Sequence, residues 1–315
     1  MSIVAESPGW LQVFYDGTVK RFAPEIAPPS DHHPSADFKS KDVVLDVSKQ
    51  ITGRIFIPHN LLDHHAKLPV LVYFHGGGFC IGSTTWLGYH VFLGQFSAAS
   101  TSIVLSIDYR LAPEHKLPTA YEDCYYALKW LYEQHSHDPW LSRCNLSRVF
   151  LAGDSAGGNI VHNVALKTIN QKHHHPLGYS LKGLILIHPY FGSELRTTKE
   201  AAAGSEVEVS MNDMFWRLSL PEESNRDFEG CNYNKYEMAA KGWQSFPSTA
   251  VFVTELDFLK ERGIMYAEFL KSKGAKNVEL VETENESHVF HVFRPDSAET
   301  RLLTHRITDF MNRCL

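Results

Sequence analysis

Short apolar runs recur along the chain, separated by stretches with helical spacing. Residues 69–74, 102–107, 148–152, 184–187, 250–253 and 278–281 are mostly continuous apolar segments rich in β-branched side chains. Runs of this kind suit strands covered on both faces, as in a parallel sheet. Apolar positions recur with helical period over about 119–134, 156–168, 260–273 and 298–312. The alternation predicts an α/β fold, a mostly parallel doubly wound sheet with right-handed crossovers.

Two earlier segments, 11–15 and 51–57, alternate apolar and polar residues and read as strands at an antiparallel edge of the same sheet. The proline-rich stretch 27–34 between them reads as a loop. Residues 193–246 fit the alternation poorly, with only 213–218 looking helical. An insertion between core strands is a natural cap over a site, and the first forty or so residues are expected to join it. There is no internal repeat and no long polar linker, so 1–315 is expected to be a single domain with cap elements at about 1–40 and 193–246.

Within this frame, the run 148–152 leads into Gly153-Asp154-Ser155-Ala156-Gly157 and then into a helical pattern. A G-x-S-x-G turn between strand and helix holds a serine hydroxyl in an exposed, strained position, which makes Ser155 the candidate nucleophile. A serine hydroxyl is a weak nucleophile without a base, an orienting carboxylate and donors for an oxyanion. His75-Gly76-Gly77-Gly78-Phe79 directly follows the run 69–74. Its glycines bring bare N–H groups close to a substrate oxygen, so Gly77 and Gly78, with Ala156, are the candidate oxyanion donors. A phosphate loop would need a Gly-Lys-Ser/Thr sequence that Phe79-Cys80-Ile81 does not supply.

The acid and base should follow the serine in that order, each after a later strand. Asp257 meets the first condition, with Glu255 as its competitor nearer the strand; an N-cap role for Asp257 is the structural alternative. His288 meets the second, beyond the polar loop 282–287. His291 is read as a partly exposed structural histidine. Phe79, Phe215 and Trp216 are candidate substrate-binding aromatics or ordinary core.

Composition changes this picture mainly by exclusion. The net charge of −6 and the lack of a long Lys/Arg run leave no electrostatic footprint for nucleic acid or an anionic membrane. No segment reaches the length of a membrane span, and the amino-terminal residues lack a signal-peptide pattern, so a cytoplasmic location is expected. Five scattered cysteines without C-x-x-C spacing fit reduced thiols. Eighteen histidines include clusters at 32–33, 64–65 and 173–175, which read as loop histidines; no metal and no cofactor is expected.

With these residues placed, HGGGF at 75–79, DYRLAPEH at 108–115, GDSAGGN at 153–159, the Asp257 segment and His288-Val289-Phe290 together resemble the plant carboxylesterases of the hormone-sensitive-lipase-like branch of the α/β-hydrolases. The resemblance spans most of the chain. It implies a Ser-His-Asp esterase with a mobile cap, acting on a small-molecule ester. The same family contains gibberellin receptors, which lack the catalytic histidine, and dehydratases and cyclases that use a similar site for elimination or rearrangement.

Overall fold

The computed structural model describes residues 2–30, 37–59, 67–171 and 181–314, and the histidine clusters at 32–33, 64–65 and 173–175 lie outside them. Three short strands open the chain: β1 (Ile3–Ser7), β2 (Leu11–Phe14) and β3 (Val19–Arg21). They form an antiparallel sheet of their own, which corrects the expectation that 11–15 would join the main sheet. Both edges of β2 are taken by β1 and β3, and its apolar face, Leu11 and Val13, is buried against Cys80, Ala112 and Met214. Arg21 fastens this small sheet down. Its guanidinium donates to the carbonyls of Cys80 (2.6 Å) and Ala112 (2.8 Å) and pairs with Glu114.

The main sheet contains β4 (Phe38–Asp46), β5 (Ile51–Pro58), β6 (Leu68–Phe74), β7 (Ile103–Asp108), β8 (Cys144–Asp154), β9 (Leu181–Ile187), β10 (Ser248–Thr254) and β11 (Val278–Thr283). Its order is β11-β10-β9-β8-β6-β7-β5-β4; β5 pairs antiparallel with both β4 and β7, and the remaining neighbours pair in parallel. The first helices along the chain are α1 (Leu87–Ser100), α2 (Thr119–Gln134) and α3 (Ala156–Gln171). Then come α4 (Thr198–Ala201), α5 (Glu206–Ser219), α6 (Ala240–Gln244), α7 (Lys260–Ser272), α8 (Phe290–Phe293) and α9 (Ala298–Arg313). Among the described residues, no helix is long and apolar enough to cross a membrane.

The continuous apolar runs are explained by burial on both faces. Alternate residues of a strand point to opposite sides. Val70, Val72 and Phe74 join Leu105, Leu151, Leu186 and Val251 in a core under α2, α3 and α7, where Leu128, Ile160, Val164 and Tyr266 meet them. Leu71 and Tyr73 join Phe150, Ile185 and Phe252 on the opposite face, under Phe92 and Phe96 of α1 and Ile307 and Phe310 of α9. The sheet is thereby fixed at its centre, and the carboxyl ends of β6, β8, β10 and β11 come together at one edge.

Close approach at that edge depends on glycine. A Cβ on Gly157, in the first turn of α3, would meet the carbonyl oxygen of Phe74 at the end of β6. An alanine in a helix is normally about 1 kcal/mol better than glycine. Here the sign should reverse: Gly157→Ala is expected to destabilise the fold by about 1–3 kcal/mol in urea unfolding, and a stabilised variant would contradict this close approach.

Candidate active site

At the end of β8 the chain turns sharply into α3, and Ser155 at the turn has φ 52°, a left-handed conformation that a residue with a Cβ rarely adopts. Three main-chain bonds hold it there. The Ser155 N–H donates to Ile187 O (2.9 Å), and its carbonyl accepts from Tyr190 N (2.9 Å) and Asn159 N (3.2 Å). Asp154, just before it, points inward and is fully buried. Its carboxylate accepts from Tyr73 Oη (2.7 Å), Tyr89 Oη (2.9 Å) and the Gly76 N–H (3.1 Å), so one anion ties the elbow to the glycine loop. Burial raises the Asp154 pKa above the ordinary carboxylate value, in spite of the tyrosine hydroxyls that oppose it.

Gly77 (φ 107°) and Gly78 (φ 57°) are both left-handed, and they line the same cavity as Ser155. A Cβ on Gly77 would meet the Ile81 carbonyl, and one on Gly78 would meet the Phe215 ring. Among the described residues nothing accepts from the Gly77 or Gly78 N–H, whereas the Gly76 N–H is already committed to Asp154 and Tyr89. Ala156, opening α3, has a first-turn N–H with no partner inside the helix. The DYRLAPEH segment braces this loop: His75 stacks on Tyr109 (4.4 Å, 15°), and Tyr109 Oη donates to His75 O (2.8 Å). Asp108 accepts from Thr84 N (2.8 Å) and Ala112 N donates to Phe79 O (2.9 Å).

Across the turn, His288 Nε2 lies 3.0 Å from Ser155 Oγ, and His288 Nδ1 lies 2.8 Å from Asp257 Oδ2. The other Asp257 oxygen accepts from Leu259 N (2.8 Å), so the N-cap-like bond and the imidazole contact use different oxygens of one carboxylate. Glu255 instead accepts from Asn285 N and does not reach His288. Burial works against the charge on Asp257, but the adjacent His288 outweighs it and holds the carboxyl below its ordinary value. Burial likewise disfavours imidazolium at His288, yet Asp257 overcomes it and raises the pKa above 6.5.

Two more histidines stand behind His288. His188, buried at φ 48°, accepts the Val289 N–H on Nδ1 (2.9 Å) and so holds the peptide that follows His288. Burial pushes its pKa down to about 3. His291 is wholly buried against Phe92 and beside Tyr73, which corrects the expectation of partial exposure: α8 turns it inward. Burial lowers its pKa too. Ring or carboxylate atoms of His188, Asp257 and His288 lie within 4.8 Å of one another. Asp257 and His288 hydrogen-bond each other, and His188 Nδ1 accepts the Val289 N–H.

The insertion is anchored to the acid loop. Thr197 and Glu200 form a capping box on α4, Arg262 of α7 grips Glu200 (2.6 Å), and Lys199 Nζ donates to Asp257 O (2.9 Å). From there α5 runs over a cavity of about 620 Å³ that contains Ser155 and His288. Phe215 lines it. Phe79 and Trp216 do not: Trp216 stacks on Tyr190 (4.3 Å) and Phe79 packs against Trp216 and Tyr121, all within the core. Neighbouring residues of a helix point about 100° apart, and at this place on α5 that turn carries Trp216 into the core while Phe215 stays on the cavity side.

A family model described as the alpha/beta hydrolase fold matches residues 71–292, most of the chain. The chain is an α/β-hydrolase. The hydrolase is 38% identical over 268 residues to the probable carboxylesterase 6 of Arabidopsis thaliana, covering 82% of this chain and 77% of that protein. It is 34% identical over 318 residues to a 2-hydroxyisoflavanone dehydratase of Glycyrrhiza echinata, covering 97% and 95%. Among solved structures, a thermostable carboxylesterase cloned from a metagenomic library superposes with a TM-score of 0.74 at 28% identity, covering 88% and 89%. These relatives put the hydrolase on the branch that holds the plant carboxylesterases.

A base must be neutral to accept a proton, so the acid limb of the pH–rate profile reports the His288 pKa. Asp257→Asn removes the main groups that oppose burial at His288 and leaves only the more distant Asp154 charge. That limb should move to lower pH while kcat falls about 10³- to 10⁴-fold; an unmoved limb would dissociate Asp257 from His288.

Proposed function

We propose that the protein is a serine carboxylesterase that hydrolyses small carboxylic esters through an acyl-enzyme. The observation that carries this reading is the continuous hydrogen-bonded line from Ser155 Oγ through His288 to Asp257 at the wall of one cavity. His288 Nε2 takes the Ser155 proton as the hydroxyl oxygen attacks the ester carbonyl. The N–H groups of Gly77, Gly78 and Ala156 receive the negative charge that develops on the carbonyl oxygen. His288 then gives its proton to the departing alcohol, and the acyl group remains on Ser155. A water molecule, deprotonated by the same imidazole, attacks the acyl carbon, and the imidazolium returns that proton to Ser155 Oγ as the acid leaves.

The 3.0 Å contact between His288 and Ser155 supports turnover and argues against a purely hormone-binding role. In this reading α5 and the amino-terminal sheet form the cap: Ser7, Trp10, Met211 and Phe215 reach the cavity from these two pieces. The cofactor requirement is nil, since the proton and both nucleophiles come from the triad and water. All five cysteines are unpaired, four of them buried, which supports a reducing compartment such as the cytosol.

Ser155→Ala should lower kcat on a short-chain aryl ester at least about 10⁴-fold with the fold intact. Near wild-type turnover by that variant would overturn the mechanism. Acid released in step with alcohol marks hydrolysis; loss of water from a hydroxylated substrate would mark the dehydratase chemistry of the Glycyrrhiza relative instead.

A further inference from the structure

The wall facing Ser155 is largely apolar, built from Ile81, Trp86, Met211, Phe215, Val292 and Phe293. Asn212, on α5 immediately before the ion-paired Asp213, interrupts it. Asn212 is 8% exposed, and among the described residues its Oδ1 has no hydrogen-bond partner. Its main-chain carbonyl is used, accepting from Tyr190 Oη (2.9 Å), and its neighbour Asp213 is fully engaged on the outer side with Arg196 and Arg226. The Asn212 carboxamide belongs to neither arrangement. Buried polar groups are nearly always paired, so an unpaired one on a residue that lines a cavity calls for a partner supplied by a water or by a ligand group.

We propose that Asn212 is a specificity-determining residue whose carboxamide hydrogen-bonds a hydroxyl on the apolar part of the substrate. The preferred substrates are then esters with a hydroxylated aromatic group, and plain alkyl or aryl esters are poorer. This rests on the esterase reading of the same site. A hydroxyl fits because it donates to Oδ1 and accepts from Nδ2. An anionic group does not: no lysine or arginine is among the described residues lining the cavity, and Glu208 adds negative charge at its exposed rim. The aromatic part is matched by the rings of Trp86, Phe215 and Phe293. A site holding a buried polar group discriminates sharply against an analogue that cannot pair with it, whereas an apolar wall discriminates weakly.

The test compares 4-nitrophenyl 3-phenylpropanoate with its three ring-hydroxylated isomers, and phenethyl acetate with its ring-hydroxylated isomers. Wild type should favour at least one hydroxylated isomer over its parent by about tenfold or more in kcat/KM. Asn212→Leu, with the same number and branching of side-chain heavy atoms, should bring that ratio to about one, and Asn212→Ala should do the same. The Tm of Asn212→Leu should equal or exceed that of wild type, because an unpaired buried amide has been removed. The proposal is overturned if no isomer is preferred, if the ratio survives both substitutions, if a folded variant loses activity on every ester, or if the Tm falls. Turnover of the unhydroxylated parents by wild type tests the esterase reading on its own.

Discussion

The rest of the site depends on holding Ser155 in a left-handed backbone conformation at the end of a buried strand. A non-glycine residue at φ 52° costs on the order of 1–3 kcal/mol, and the surroundings offset that cost by over-determining the turn. Hydrogen bonds to Ile187 and Tyr190 fix the peptide on both sides. Gly157 lets α3 begin against the end of β6, where any side chain would collide with the Phe74 carbonyl. Asp154, pointing the opposite way from Ser155, reaches Tyr73, Tyr89 and the Gly76 amide. Because Gly76 leads into Gly77 and Gly78, the same anion that anchors the elbow also sets the loop opposite it. Ser155 and the Gly77 and Gly78 amides are therefore positioned by one connected piece of structure.

Protonation states around the elbow follow from which histidine has a carboxylate. His188 and His291 are buried without a paired anion, and burial drives both toward the neutral form. His288 is half-buried beside them but touches Asp257, and it alone of the three is shifted upward. A neutral His188 can accept the Val289 amide on Nδ1, which a protonated ring could not do. The segment after His288 is thus held by one neutral imidazole while the His288 imidazole stays paired with Asp257. The separation of roles comes from contacts a few ångströms apart, not from differences in residue type.

What was legible in the sequence is what the fold expresses locally. The doubly wound sheet followed from strands whose alternate residues are buried on both faces, such as Val70 and Leu71. Ser155, Asp257 and His288 each stand just beyond a strand end, so their chain order carried information about space. Helix α1 was not read, because its aromatic residues and Gly88 and Gly94 give it little amphipathic contrast. Strand β4 was hidden by its polar sequence, Phe38-Lys39-Ser40-Lys41-Asp42, at an edge that water reaches. The roles of Asp154 and His188 were illegible for another reason: their partners, such as Tyr73 and Val289, lie about 80 and 100 positions away. Phe215 and Trp216 looked equivalent as letters, and only the direction of each side chain on α5 separates a cavity wall from core.

The central claim is that Ser155 alone, of all the hydroxyls in the chain, is activated to react with an acylating or phosphorylating centre. Incubating the native protein with a fluorophosphonate and mapping the adduct by peptide mass spectrometry tests it most directly. The account predicts one adduct per chain, on Ser155, forming faster as His288 loses its proton. A protein left unlabelled while folded, or labelled on a different residue, would contradict it.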